Sequence, residues 1–259
     1  MGVRFDGLFF NMLWEDYLDP YIFLAMAILF LAASVQGITG FGRALIAAPL
    51  ISLFIPADET VMIMILMGFA SAIAMVSKTY KNAHIKKVIP LIAAGVIGSI
   101  AGVQLLRIIP VDELKIAMGV FVILSAIILA TGVRVRFKRV IPAYTVAGFI
   151  SGLTNGAISF GGPPIVLFLQ NQDESKDSFR ANLSVFFLVI GFTGSLNLLT
   201  SGMLTGQIAL KALLLLPATI GGTYLGNFLS GKFEESIFKK LVLSILVLSG
   251  VMAIIMTLL

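Results

Sequence analysis

The chain has 259 residues, of which 59% are hydrophobic and only 12% charged, with no cysteine and a formal net charge of +5. A mean hydropathy of +1.05 leaves too little polar surface to cover a water-soluble globule, so the chain belongs in a bilayer. Missing cysteine excludes a disulfide framework, thiolate chemistry and a sulfur-ligated metal. The densest runs of basic residues fall in two short loops rather than along one face, which reads as a topology signal and not as a nucleic-acid surface.

The opening stretch, MGVRFDGLFFNMLWEDYLDP, has no compact apolar leader, no small-residue cleavage pattern and no Ser/Thr of the myristoylation signal. Phe5, Leu8, Phe9, Met12 and Leu13 recur at helical spacing, with Trp14 and Tyr17 after them. That pattern predicts an interfacial helix over residues 1–20. Beyond it, six apolar runs are long enough to cross a hydrocarbon core of about 30 Å: 61–77, 88–106, 114–131, 181–200, 207–229 and 237–258. Two regions, 21–55 and 141–170, are too long for one crossing and too short for two, and each is interrupted by glycine. Each is predicted to be a broken hairpin of two half-length helices.

The loops KTYKNAHIKK (78–87) and RVRFKR (134–139) hold the densest Lys/Arg and are expected on the cytoplasmic side of a cell inner membrane, the second forming a basic linker at 133–140. Two single spans separate them, as that placement requires. Pro56, Asp58 and Glu59, and the loop from Pro110 to Glu113, then fall outside.

The two halves resemble each other. TGFGRALI (39–46) aligns with ISFGGPPI (158–165), Phe41-Gly42 over Phe160-Gly161, and GVIGSIAGVQLL (95–106) aligns loosely with ATIGGTYLGNFL (218–229). If each hairpin enters and leaves on one side, a repeat of one hairpin plus three spans has odd parity and its second copy is inverted. The expected fold is therefore an all-α polytopic membrane protein of two inverted-topology repeats, 21–132 and 141–259, each a broken hairpin followed by three transmembrane helices. The uncharged 201–206 loop agrees with that orientation, while Asp173, Glu174 and Asp177 run against it.

Unpaired backbone amides inside hydrocarbon cost several kcal/mol each, so non-helical chain at membrane depth marks a lined cavity. A helix is expected to start near Ala44 after the first break, and Pro163-Pro164 suits the first turn of a helix after the second. Both N-termini would aim free amides and positive dipole ends at the gap, an arrangement that selects an anion. Arg43 sharpens the sign. A charge at mid-bilayer costs about 2.5–3.5 kcal/mol, and the dipole disfavours a cation at a helix start. All 13 Asp and Glu lie in termini or loops, so no apolar segment supplies a partner.

Gln36, Thr39, Thr154, Asn155 and Ser159 gather at the breaks and can donate to a small oxyanion, although single intramembrane Ser and Thr commonly bond their own helix. With Gly40, Phe41, Gly42, Arg43, Phe160, Gly161 and Gly162 they make the candidate binding set. Arg180 and Asn182 open the following helix and are placed to reach the rim of the second break, with membrane anchoring an equal role for Arg180. Gln104 and Asn197 lie inside spans and either line the path or bridge helices. Gly98-x-x-x-Gly102 and Gly222-x-x-x-Gly226 fit internal helix contacts or the seam of a homodimer.

GITGFGRALIAAPL (37–50) and GLTNGAISFGGPPIVLFL (152–169), in about 260 residues of two-repeat membrane protein, resemble the sulfite exporter TauE/SafE family of anion permeases, over nearly the whole chain. The resemblance implies export of sulfite or a small organosulfonate such as sulfoacetate. Arg43 stands where that pattern often has glycine, which suits a ligand with a second negative group.

The function expected is thus a secondary transporter of a small oxyanion bound between the two breaks, with a carboxylate or sulfate-like anion as the alternative. No metal, cofactor or catalytic residue is expected. An intramembrane protease or lipid phosphatase would need a nucleophile with its base, paired aspartates or metal ligands, and only the loop residue His84 is available. A cation pathway would need acidic residues within a span, and a purely anchoring subunit would not maintain two broken hairpins.

Overall fold

The computed structural model describes residues 20–131, 140–169 and 175–230. The interfacial segment before Pro20, the basic stretch 134–139 and the span at 237–258 lie outside the described residues. Within them the chain is helical: α1 (Pro20–Thr39), α2 (Arg43–Ile51), α3 (Ala57–Thr79), α4 (Ile85–Ile108), α5 (Val111–Thr131), α6 (Val140–Ile158), α7 (Gly162–Leu169), α8 (Lys176–Thr200) and α9 (Gly206–Leu229). Five helices there are long and apolar enough to cross a bilayer: 20–39, 57–82, 85–108, 176–200 and 206–229.

Local chemistry sets these boundaries. Pro56 precedes α3, whose first turn carries Asp58 and Glu59 against the positive dipole end, while Lys78 sits in its last turn. Ser175 and Thr205 cap α8 and α9 by accepting from the amides of Ser178 and Ile208.

Both Gly-rich regions break where expected, but the arms are unequal rather than half-length. α1 has 20 residues and α2 only nine. At 1.5 Å per residue α2 rises about 13 Å, less than half the hydrocarbon thickness. Nothing in residues 20–39 stops a helix, and the left-handed glycines Gly40 (φ 95°) and Gly42 (φ 97°) come only after it.

Each hairpin closes on the side where it opened. Tyr21 at the start of α1 stacks on Phe54 beyond α2, with ring centroids 5.5 Å apart. Tyr144 near the start of α6 meets Phe168 of α7 edge-on at 4.4 Å. Phe54 leads directly into α3, and α8 follows α7. The start of α8 is tied to the end of α3: Thr79 and Ser184 hydroxyls lie 2.9 Å apart, and Asn182 Oδ1 accepts from the His84 amide at 2.8 Å. The mouths of the two hairpins therefore lie at opposite ends of α3. Asn182 thus fastens the turn between α3 and α4.

Helices α4 and α9 each pack on the first arm of the hairpin in the other half, α4 on α6 and α9 on α1, while α3 crosses α8. Glycine makes the first two contacts close enough for backbones to touch. A Cβ on Gly98 would overlap the Phe149 carbonyl, and one on Gly102 the Leu153 carbonyl. Across the molecule, Gly222 meets Phe30 and Gly226 meets Ser34 in the same way; Phe30 and Ser34 stand at the offset from Phe149 and Leu153 that superposes Phe41 on Phe160, and the glycines at a slightly larger one. These faces are filled from within the chain, so the glycine pairs serve internal helix packing. Gln104 Nε2 donates to Asn197 Oδ1 at 3.1 Å, so this pair bridges α4 to α8.

Candidate functional site

The two breaks meet. The Phe41 ring lies over Gly162, whose missing side chain would sit 3.3 Å from it, and Phe160 is buried against Phe121 of α5 with ring centroids 5.8 Å apart. Between the tips is a cavity of about 40 Å³, lined by Gln36, Phe41, Gly42, Arg43, Asn155, Ser159, Phe160, Gly161 and Gly162 among the expected residues. That space suits roughly three water molecules.

Each break is built the same way. The Gly40 amide donates to the Gln36 carbonyl at 2.7 Å, and the Ser159 amide to the Asn155 carbonyl at 2.9 Å. Gln36 and Asn155 are thus equivalent amide side chains at the foot of each tip, both buried and both facing the cavity. The Thr39 hydroxyl lies 2.7 Å from the Phe41 carbonyl, and the Thr154 hydroxyl 3.0 Å from the Phe160 carbonyl. Both threonines also reach carbonyls one helical turn back, at Val35 and Ile150. A hydroxyl has one proton, so Thr39 and Thr154 hold the shape of the breaks, and neither lines the cavity. Ser151 supports the second tip by donating to the Gly161 carbonyl. Thr39→Val and Thr154→Val should each lower stability by about 1 kcal/mol, read as a fall in melting temperature in detergent, with Ser at either position restoring most of it.

The donors left for a ligand lie mostly on the first tip. The opening turn of α2 leaves the amides of Arg43, Ala44 and Leu45 without helical partners. The equivalent turn of α7 has prolines at 163 and 164, which have no N–H, so only Gly161 and Gly162 can offer amides there. The expectation of two comparable amide clusters is corrected accordingly. Asn155 and Ser159 compensate on the second side, since neither side chain has a hydrogen-bond partner among the described residues. Ser159 adopts φ 62°, the left-handed region that its counterpart Gly40 reaches freely. Keeping a serine there costs about 1 kcal/mol or more.

Arg43 is 4% exposed, and neutral groups surround it. Its Nε donates to Gln36 Oε1 at 3.1 Å, Nη2 to the Met64 carbonyl at 2.8 Å, and Nη1 contacts Met64 Sδ at 3.2 Å. Gly68 of α3 makes room, since a Cβ there would stand 3.0 Å from Nη2. The side chain therefore has hydrogen-bond partners that the sequence did not reveal. Its charge has none: among the described residues no carboxylate pairs with it, and two of its five N–H bonds stay uncommitted.

Arg180 sits elsewhere. Its Nη2 donates to the Gly37 carbonyl at 2.5 Å and to Asn227 Oδ1 at 2.6 Å, so it caps the C-terminus of α1 instead of reaching the second break. It faces a separate cleft with Lys78, Tyr224 and Asn227.

Sequence reasoning missed Gly68, Gly191 and Phe187, which also line the tip cavity. Gly68-Phe69 and Gly191-Phe192 mark the crossing of α3 and α8, where a Cβ on Gly191 would stand 3.1 Å from the Phe69 Cα and the two phenylalanine rings lie 5.7 Å apart. The repeated Gly-Phe pair was the available signal.

The family model for the sulfite exporter TauE/SafE matches residues 25–253. No curated protein and no solved structure matches the chain. The match spans both hairpins, the tips that meet and the helices packed around them, and the chain belongs to the sulfite exporter TauE/SafE family, a family of membrane transporters.

Proposed function

We propose that the chain exports a small oxyanion of sulfite size, bound between the two hairpin tips. The observation that carries this reading is the tip cavity: about 40 Å³, bordered by a buried arginine without a carboxylate, the opening amides of α2, and the unpartnered side chains of Asn155 and Ser159. An oxyanion would supply the acceptors those donors lack and balance the Arg43 charge. The volume favours sulfite over sulfoacetate, whose added carboxymethyl group would require the tips to part. Strain retained at Ser159 places a hydroxyl where glycine would be easier, as expected when that hydroxyl meets a ligand.

The architecture we infer is two inverted-topology repeats, supported by the opposite mouths of the hairpins and by the glycine contacts that recur in both halves. The membrane is the cell inner membrane, with loops 78–87 and 134–139 cytoplasmic, on the strength of their lysine and arginine content. Transport then follows from movement of one tip against the other around a fixed site.

Among the described residues the cavity offers no carboxylate or histidine to carry a proton, so export is driven by the interior-negative potential, worth ~2.3 kcal/mol per charge per 100 mV, about a fiftyfold gradient. In proteoliposomes, flux of methanesulfonate, a small sulfonate that stays a monoanion at any working pH, should follow an imposed potential and ignore an imposed pH gradient. Flux that follows the pH gradient alone would refute the uncoupled mechanism.

A further inference from the structure

Arg180 is 7% exposed, yet among the described residues its Nε has no hydrogen-bond partner, and the Asn227 side-chain amide nitrogen beside it has none either. Leaving two buried donors unpaired is costly, and a charged one more so. Both residues line a cleft of about 410 Å³ at the end of the molecule that carries the 78–87 loop. Lys78 stands on its rim, with its ammonium 5.9 Å from the centre of the Tyr224 ring. Asp177, one turn before Arg180, supplies the opposing charge, so the cleft retains an excess of positive charge.

We propose that this cleft is a second anion site, which holds the oxyanion head group of a soluble ligand between Arg180 and Lys78, with Asn227 behind the guanidinium, before it passes to the tips. The inference rests on the reading of the chain as an anion exporter. The two sites share a wall: a Cβ on Gly40 would lie 3.5 Å from Arg180 Cγ, and Gly40 begins the break whose far side faces the tip cavity. The cleft is some tenfold larger than the tip cavity, so it accepts a sulfonate with its carbon chain as readily as sulfite, and selection by size falls to the tips.

The test is calorimetric titration of sulfite into the full chain in phosphatidylcholine nanodiscs. Arg180→Gln removes the cap of α1 and risks misfolding, so the informative variant is Asn227→Asp. It keeps an oxygen for Arg180, loses the donor and neutralises the guanidinium. We expect two binding events, of which Asn227→Asp weakens one by about tenfold or more and Asn155→Ala weakens only the other. An isotherm unchanged by Asn227→Asp overturns the second site and leaves the tip site standing. An isotherm sensitive to Asn227→Asp but not to Asn155→Ala removes the tip site and keeps the cleft. A lipid phosphate presents the same chemistry, so the titration is repeated in phosphatidylglycerol nanodiscs. Persistence of the Asn227-dependent event supports the soluble ligand, whereas its loss assigns the cleft to lipid head groups and overturns the proposal.

Discussion

Arg43→Met should lower sulfite affinity by about 10- to 100-fold and abolish efflux at low substrate, while leaving the protein as stable as before or more so. The two effects separate because the residue has two roles. Among the described residues its guanidinium bonds only neutral acceptors, Gln36 Oε1 and Met64, so its burial is incompletely offset. Replacing a buried charge by an apolar side chain of similar length is often neutral or stabilising. Toward an anion the same residue supplies the charge and two free N–H bonds, and charge-assisted hydrogen bonds of that kind contribute about 1.5–3 kcal/mol. Arg43→Lys keeps the charge without the planar fork and should fall between the two. The measurements are sulfite titration and a melting curve on each variant. Wild-type affinity in Arg43→Met would remove this residue from the site and leave the backbone amides of α2 as its main donors.

The second large effect concerns packing. Gly98→Val and Gly222→Val should each destabilise the protein by about 3 kcal/mol, with most of the chain lost as aggregate on extraction into detergent. At Gly98 the added Cβ would stand 2.8 Å from the Leu153 amide nitrogen, and at Gly222 it would stand 3.0 Å from the Ala33 Cβ besides overlapping the Phe30 carbonyl. Backbone cannot rotate aside as a side chain can, so the helix pairs α4–α6 and α9–α1 would have to part. Gly206→Ala is the control, because nothing lies within 4 Å of its would-be Cβ. It should melt at or slightly above the wild-type temperature, by helix propensity alone. If Gly98→Val melts with the wild type, the close approach of α4 to α6 is wrong.

Membrane class, four of the six expected spans and both breaks were legible because each rests on a local property. Hydropathy over about 20 residues decides a crossing, and glycine followed by proline or by a helix start decides a break. The same locality explains where the reading fell short. Arm length depends on where the helix stops, and the run from Pro20 to Thr39 gave no reason to stop midway. Thr39 and Thr154 look like ligand donors in a sequence, but whether a hydroxyl is free depends on the carbonyl that the turn brings over it. Arg180 was assigned to the break nearest in sequence. It serves the other one, since the start of α8 lies beside the end of α1.

From the sequence alone it was settled that this chain lies in a membrane, that it breaks twice at related positions, and that a positive charge stands beside the first break with no acidic partner in any apolar segment. Those conclusions follow from composition and from spacings within single segments. Only the tertiary structure decided that the two breaks face each other across one small cavity, that Gln36 and Asn155 occupy equivalent places in it, and that Arg43 is steadied by Met64 of α3 while Arg180 caps α1. Those are contacts between segments far apart in the chain. They depend on how closely helices approach, which here is set by glycines such as Gly98 and Gly226 touching backbone in the opposite half.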